Sequence, residues 1–578
     1  MVSITLSLVV LAFSACGRAS PVRKTHPTVH LAPDIVRFEG SSANNVESFL
    51  NIRFGQDTGG NNRFAPPKPY NYPTGSVVNA TQSGAACPQQ KVPVEGISVF
   101  DNVTHISEDC LTLRVDRPAN TCSTAKLPVM VYIYGGGDSI GQIYDSAYDP
   151  TTLISGATQK GIPVIYVAMN YRVGVFGFAA SPALNDSDSL NAGLLDQRLG
   201  LEWVQKHISA FGGDPDNVII FGESDGATGV GLQITAYGGN MKAPFQRAIM
   251  QSDNAAADAG TASNASMKHT AQLIRKLSCT ASTSAKELAC LRKVPLEKLL
   301  STAVEYEYSL NSYGFDVFIP TAPSTFIPES PSELLRSGRF ARNIDMIAGW
   351  NENDASLFTP STLNSTVGVA EFLSASLPNL SKENIQKALS LYPVSSFSDM
   401  PTENISAQYF RASQMMRDNQ FVCPSIFTVQ MNNKYSDLNT SNYLFVLNQT
   451  IFAPVYAEEH TSYLGVSHFS DIPYVFNQVN TRYSSIASAS GVKLSSEMSG
   501  SWASFAVYGD PSRARGTIPD WFDAVSSSNG TERQLSLQVI GGPQPGIVPI
   551  GRTRGSYEDL TCRCAFWNSP EVFAQMGV

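Results

Sequence analysis

Residues 217–226 read Asn217-Val-Ile-Ile-Phe-Gly-Glu-Ser-Asp-Gly226. Val218 to Phe221 is a continuous apolar run. Such a run fits a strand covered on both faces, as in a parallel sheet, better than a half-exposed strand with alternating polarity. A Gly-x-Ser-x-Gly turn follows at once, and residues 227–237 have helical composition. A strand, a sharp turn and a helix in that order are what exposing a serine at the carboxyl edge of a sheet requires. A Cβ at either glycine would clash across so tight a turn. The helix N-terminus also points its partial positive charge at the serine.

The same pattern recurs on both sides. Residues 127–134 form an apolar run ahead of Gly135-Gly136-Gly137, and residues 163–170 form another. Shorter runs stand at 247–250 and 344–348, and residues 195–211 carry apolar positions one or two helical turns apart. Strands alternating with helices predict an α/β sheet with right-handed crossovers. Residues 255–340 and 365–460 are more polar and helical, and are expected to be insertions over that sheet.

The chain has 578 residues, of which 15% are charged, against the roughly 25% that is usual. This favours a large folded body over a solvated chain. The net charge of −9 opposes phosphate backbones, so no nucleic-acid partner is expected. Ile4 to Cys16 is apolar or small, and Gly17-Arg18-Ala19-Ser20-Pro21 supplies small residues for cleavage. Residues 1–19 therefore read as a signal peptide. The run is too short to span a bilayer, and no stable membrane anchor is expected. Sequons at Asn79, Asn102, Asn185, Asn264, Asn364, Asn379, Asn404, Asn439, Asn448 and Asn529 agree with a secreted glycoprotein. Removing Cys16 leaves Cys87, Cys110, Cys122, Cys279, Cys290, Cys423, Cys562 and Cys564, an even set that suggests disulfides in an exported chain. Their spacing is not that of a zinc site, and no metal is expected.

A serine hydroxyl is a poor nucleophile without a base and a site for the developing oxyanion. Ser224 is the candidate nucleophile. Tyr134-Gly-Gly-Gly-Asp138 fits the oxyanion loop, with the N–H groups of Gly136, Gly137 and Asp225 as donors.

At this point the chain resembles the type-B carboxylesterase and lipase family, which includes cholinesterases, fungal lipases and bile-salt lipases. The matching segments are Phe211 to Gly226, Ser107-Glu-Asp-Cys-Leu111, Arg63-Phe-Ala-Pro-Pro67, Asn170-Tyr-Arg-Val173, Asp196-Gln-Arg198 and Cys564-Ala-Phe-Trp567. The resemblance covers nearly the whole mature chain, from about residue 35 to 570. The resemblance implies an α/β-hydrolase fold: a large, mostly parallel central sheet flanked by helices, with helical insertions, in one domain over 20–578. It implies a secreted fungal serine hydrolase that cleaves a small-molecule carboxylic ester through an acyl-enzyme, without a cofactor. The family's histidine loop resembles residues 465–476 and places the base at His468. Its acid segment resembles residues 349–358 and places the acid at Asp354, with Glu352 as the alternative. The order Ser224, Asp354, His468 is the one this fold uses. Glu223 and Ser252 are expected to support the acid and base from behind. The implied disulfides are Cys87–Cys110, Cys279–Cys290 and Cys423–Cys564, which leaves Cys122 and Cys562 unassigned.

Three features bear on function. Where cholinesterases carry a choline-binding Trp, this chain has Phe100, a weaker cation–π partner, so neutral esters are favoured. The Cys87–Cys110 loop shows no long amphipathic helix of the kind a mobile lipase lid wants, although a lipase or sterol esterase remains the alternative and a non-catalytic adhesion protein a further one. The residue after the nucleophile, usually small, is Asp225. Its carboxylate would oppose an oxyanion, so its side chain is expected to turn away from the site, and Asp225→Ala to change hydrolysis less than about tenfold. Oligomeric state is not legible.

Overall fold

The computed structural model describes residues 26–32, 36–91, 100–310, 316–437, 439–526, 534–550 and 559–578. The expected signal peptide, Cys16 and the sequon at Asn529 lie outside them.

The central element is a twelve-stranded sheet. Its principal strands are β1 (Val46–Arg53), β2 (Thr112–Pro118), β3 (Leu127–Ile133), β4 (Ile165–Met169), β5 (Gly213–Glu223), β6 (Arg247–Gln251), β7 (Asp345–Asn351), β8 (Asn442–Leu447) and β9 (Gln534–Ile540). In space they run β1-β2-β4-β3-β5-β6-β7-β8-β9. Every neighbouring pair from β4 to β9 is parallel. β2 meets β1 and β4 antiparallel. Strands Thr28–Leu31, Val36–Glu39 and Val77–Asn79 form a separate small sheet. This is the α/β-hydrolase architecture expected from the sequence.

The elements differ from expectation where burial is not local. The strand expected at 217–221 runs from Gly213 to Glu223. The expected helix at 195–211 is α1 (Ala192–His207), closed by a 3₁₀ turn, Ile208–Phe211. α2 (Asp225–Thr235) begins directly after Ser224. The block 365–460 holds helices such as Ala407–Arg417 and Cys423–Tyr435, as expected, but also β8, a core strand buried at every position. Its neighbours β7 and β9 cover both its edges, so what reads as the tail of a polar insertion belongs to the sheet.

Register aligns the strand ends. Gln251 of β6 faces Glu223 of β5 and Gly349 of β7, and Ile133 of β3 faces Gly222. Asn351 faces Leu447 of β8. The residues just beyond these ends therefore meet at one edge.

Several of the matched motifs turn out to be buried ion pairs. Arg172, 1% exposed, grips Asp196 of α1 with Nε and Nη2 at 2.7 Å each, and its backbone N–H adds a third bond at 3.0 Å. Arg63 holds Glu108 in the same forked way, at 2.6 and 2.7 Å. Disulfides join Cys87 to Cys110, Cys279 to Cys290 and Cys423 to Cys564. The last ties helix Cys423–Tyr435 to helix Leu560–Trp567. Neither Cys122 nor Cys562 is disulfide-bonded among the described residues.

Removing one member of a buried pair strands the other charge in the core, which costs about 3–5 kcal/mol. Asp196→Ala is expected to lower the unfolding free energy by about that much, measured by urea denaturation. A loss below about 1 kcal/mol would mean that the pair is not what anchors α1 to the sheet.

Candidate functional site

Ser224 sits at the tip of the turn between β5 and α2 with φ 58° and ψ −135°, a strained conformation for a residue with a side chain. The turn is held by the Ser224 N–H, which donates to the Gln251 carbonyl at 3.0 Å. Space explains its glycines. A Cβ on Gly222 would lie 2.5 Å from the Gly226 carbonyl, and one on Gly226 would lie 2.1 Å from the Ile133 carbonyl. The loop that continues β3 packs as closely, since a Cβ on Gly135 would stand 2.8 Å from the Ser224 Cβ. The glycine loop and the serine turn thus touch, as an oxyanion site demands.

His468 lies in the loop after β8, 2% exposed, with Nδ1 2.6 Å from Asp354 Oδ1. Asp354 follows β7 and is fully buried. Its other oxygen accepts the Asn351 N–H at 2.8 Å. A carboxylate on Nδ1 fixes the imidazole tautomer that leaves Nε2 free of hydrogen. The ring is walled by Phe358, Phe421 and Phe469, with centroids at 5.2, 5.3 and 4.4 Å. Glu352, the alternative acid, instead faces Arg417 at 3.6 Å.

Glu223 lies behind the histidine, fully buried, with Oε1 3.3 Å from His468 Nε2 but no aligned hydrogen bond. Burial first, then the charges of Asp471, Asp354 and Asp225, pushes its carboxyl well above the ordinary range. Ser252 is buried at the end of β6, and its backbone N–H donates to the Gly349 carbonyl at 2.8 Å. No hydrogen bond among the described residues joins it to Asp354. The support that the sequence reading missed comes from Asp471, which accepts Gln251 Nε2 at 2.5 Å and Asn351 Nδ2 at 3.4 Å. Gln251 in turn accepts the Trp502 indole N–H at 2.9 Å. Nothing local marks these residues, because they come from four separate segments.

The expected orientation of Asp225 is wrong. Its carboxylate turns into the site, where Oδ2 accepts the N–H of Gly136 at 3.2 Å and the N–H of Gly137 in a shorter bond. Ser224 Oγ donates to the same oxygen at 3.2 Å. His468 Nε2 has no hydrogen-bond partner, so the hydroxyl points at the aspartate rather than at His468. The reason is the company Asp225 keeps. Asp138, Asp225 and Asp258 each bring an oxygen within 4.8 Å of the others. Asp138 Oδ2 and Asp258 Oδ2 have no donor. Burial above all, then the Asp225 charge among others, pushes Asp138 well above the usual carboxylate range, and the same two causes push Asp258 up to about 8. A buried carboxylate needs donors, and the glycine-loop N–H groups supply them to Asp225. Asp138, Asp225 and Asp258 are the one group of described residues close enough to share a cation.

The Asp258 shift has a consequence for stability. The folded chain keeps the Asp258 proton up to about pH 8, whereas the unfolded chain releases it near 4. Stability is therefore lost as pH rises between those values. Asp258→Asn removes the cost, so its melting temperature relative to the native protein is expected to climb from pH 5 to pH 8. Parallel curves would contradict the assignment.

Comparison with known proteins bears on the family and the fold. The model of the Carboxylesterase family matches residues 34–540. The chain is 42% identical over 546 residues to an inactive carboxylesterase-like protein of Byssochlamys spectabilis, covering 92% of each chain. It is 37% identical over 556 residues to a secreted lipase of Arthroderma benhamiae, covering 94% of each. The crystal structure of Aspergillus niger EstA shares the fold at a TM-score of 0.76 and 23% identity, with 96% of this chain and 99% of that one covered. The chain belongs to the carboxylesterase family of carboxylic ester hydrolases.

Proposed function

We propose that residues 20–578 form one secreted hydrolase domain that cleaves neutral carboxylic esters on Ser224, with His468 as general base and acid and Asp354 as its orienting carboxylate. The observation that carries the reading is the buried 2.6 Å contact between His468 Nδ1 and Asp354, made at the sheet edge where Ser224 stands. In the reaction Ser224 Oγ attacks the ester carbonyl while His468 Nε2 takes its proton. The same proton then goes to the leaving alcohol, and water releases the acid by the reverse sequence. The carbonyl oxygen, turned oxyanion, belongs at the Gly136 and Gly137 N–H groups. For the first step the Ser224 hydroxyl must rotate from Asp225 to His468. Glu223, neutral and packed behind Nε2, helps to fill the ring's cavity without adding charge.

Phe100 supports the neutral-ester reading. Its ring packs on Phe469 at 5.1 Å and on Tyr148 at 6.0 Å, which makes an apolar wall beside the histidine loop. Secretion is supported by the sequons, since Asn79, Asn102, Asn185, Asn264, Asn364, Asn379, Asn404 and Asn439 are exposed and Asn448 is half-buried. No helix among the described residues is long and apolar enough to cross a membrane. The relatives named as lipases keep a long-chain substrate as the second reading.

Turnover of p-nitrophenyl esters from C2 to C16 by the native protein and by Ser224→Ala tests the proposal. Turnover that depends on Ser224 and favours short chains is expected. A preference for emulsified long chains would favour the lipase reading, and equal rates for both proteins would exclude Ser224 as nucleophile. Asp354→Asn is expected to lower kcat by about 10³–10⁴-fold with KM little changed, because the wrong tautomer then faces the serine.

A further inference from the structure

We propose that Asp225 is a built-in plug of the oxyanion hole, and that an ester reacts only when this carboxylate is displaced. The inference rests on the reading of Ser224 as nucleophile. A carboxylate oxygen and a tetrahedral oxyanion are alike in charge and in hydrogen-bonding needs. Asp225 Oδ2 already takes both N–H groups of the glycine loop, Gly136 and Gly137. Plug and transition state therefore compete for one pair of donors and cannot hold them together.

A second contact works in the same direction. The Ser224 hydroxyl donates to Asp225 Oδ2 at 3.2 Å, while His468 Nε2 is left without a hydrogen bond. A serine whose proton is directed at a carboxylate away from its base is not poised for attack. One side chain thus occupies the electrostatic site and misdirects the nucleophile.

The surroundings hold the plug in place. Asp225 is 6% exposed, and it starts α2, where backbone N–H groups favour a negative charge. Away from the glycine loop it faces Asp138 and Asp258, with Asp316 beside it, so the space behind it is walled by further carboxyl groups. Retreat in that direction brings like groups together in a buried place. The Gly136 and Gly137 N–H groups are the backbone donors that its carboxylate holds instead.

The test compares kcat and KM for short-chain p-nitrophenyl esters across native protein, Asp225→Ala, Asp225→Gly, Asp225→Asn and Ser224→Ala/Asp225→Ala, each checked for a single cooperative melting transition well above the assay temperature. Asp225→Ala and Asp225→Gly are expected to raise kcat/KM by at least about 10²-fold, the effect of about one oxyanion donor. Asp225→Asn is expected to gain far less, because its amide oxygen accepts the same two N–H bonds. The double variant is expected to be inactive. Two alanine or glycine variants guard against one that fails to fold. A change under about threefold in both, with native turnover still dependent on Ser224, would overturn the plug and leave the proposed function standing. A gain in Asp225→Asn equal to that in Asp225→Ala would also overturn it, since charge rather than occupancy would then be responsible. Ser224-independent rates in every variant would overturn both.

Discussion

The turn that carries Ser224 presses on the end of the strand beside it, so closely that a Cβ on Gly226 would stand 2.1 Å from the Ile133 carbonyl. This approach depends on the parallel register of β3 and β5. It brings the loop that leaves β3 against Ser224, and the Gly136 and Gly137 N–H groups close to that residue. The neighbouring strands end at the same level, so Asp354 and the His468 loop arrive at the same edge. The chemistry is positioned by the sheet, and the insertions close over it.

Two N–H groups at such an edge form an anion site with or without substrate. Most of the charge near this one is negative and buried. Glu223, Asp138 and Asp258 are driven toward their neutral forms by burial first and then by neighbouring carboxylates, Asp225 among them in each case. Asp225 has hydrogen-bond donors, and it finds them at the N–H groups proposed to hold the reacting oxygen. The proposed triad and oxyanion loop are thus complete in composition, yet they rest in an arrangement that faces inward. Family membership is fully compatible with a resting rate set by one side chain.

Much of this was legible in the sequence. The β5 turn and the glycine loop announce themselves because apolar runs and glycines report strands and tight turns locally. Asp354 and His468 followed from resemblance, and the structure brings them to 2.6 Å. β2 was not legible. Its run Thr112-Leu-Arg-Val-Asp-Arg-Pro118 carries three charges, and only the folded chain shows them paired, Arg114 with Asp116 and Arg117 with Glu47. β8 was hidden at the end of a polar stretch for the same reason, since its cover comes from β7 and β9, far away in sequence. The orientation of Asp225 was misread because it is decided through space. Its donors are nearly ninety residues upstream, and one of its repelling neighbours, Asp258, lies on a different loop.

The most direct measurement is a crystal structure of the protein after Ser224 has reacted with an alkyl phosphonate, whose phosphoryl oxygen stands in for the tetrahedral oxyanion. The account predicts that oxygen on the Gly136 and Gly137 N–H groups, with the Asp225 carboxylate swung out and the Ser224 oxygen, now bonded to phosphorus, facing His468. An adduct in which Asp225 still holds both N–H groups, with the phosphoryl oxygen bound elsewhere, would contradict it.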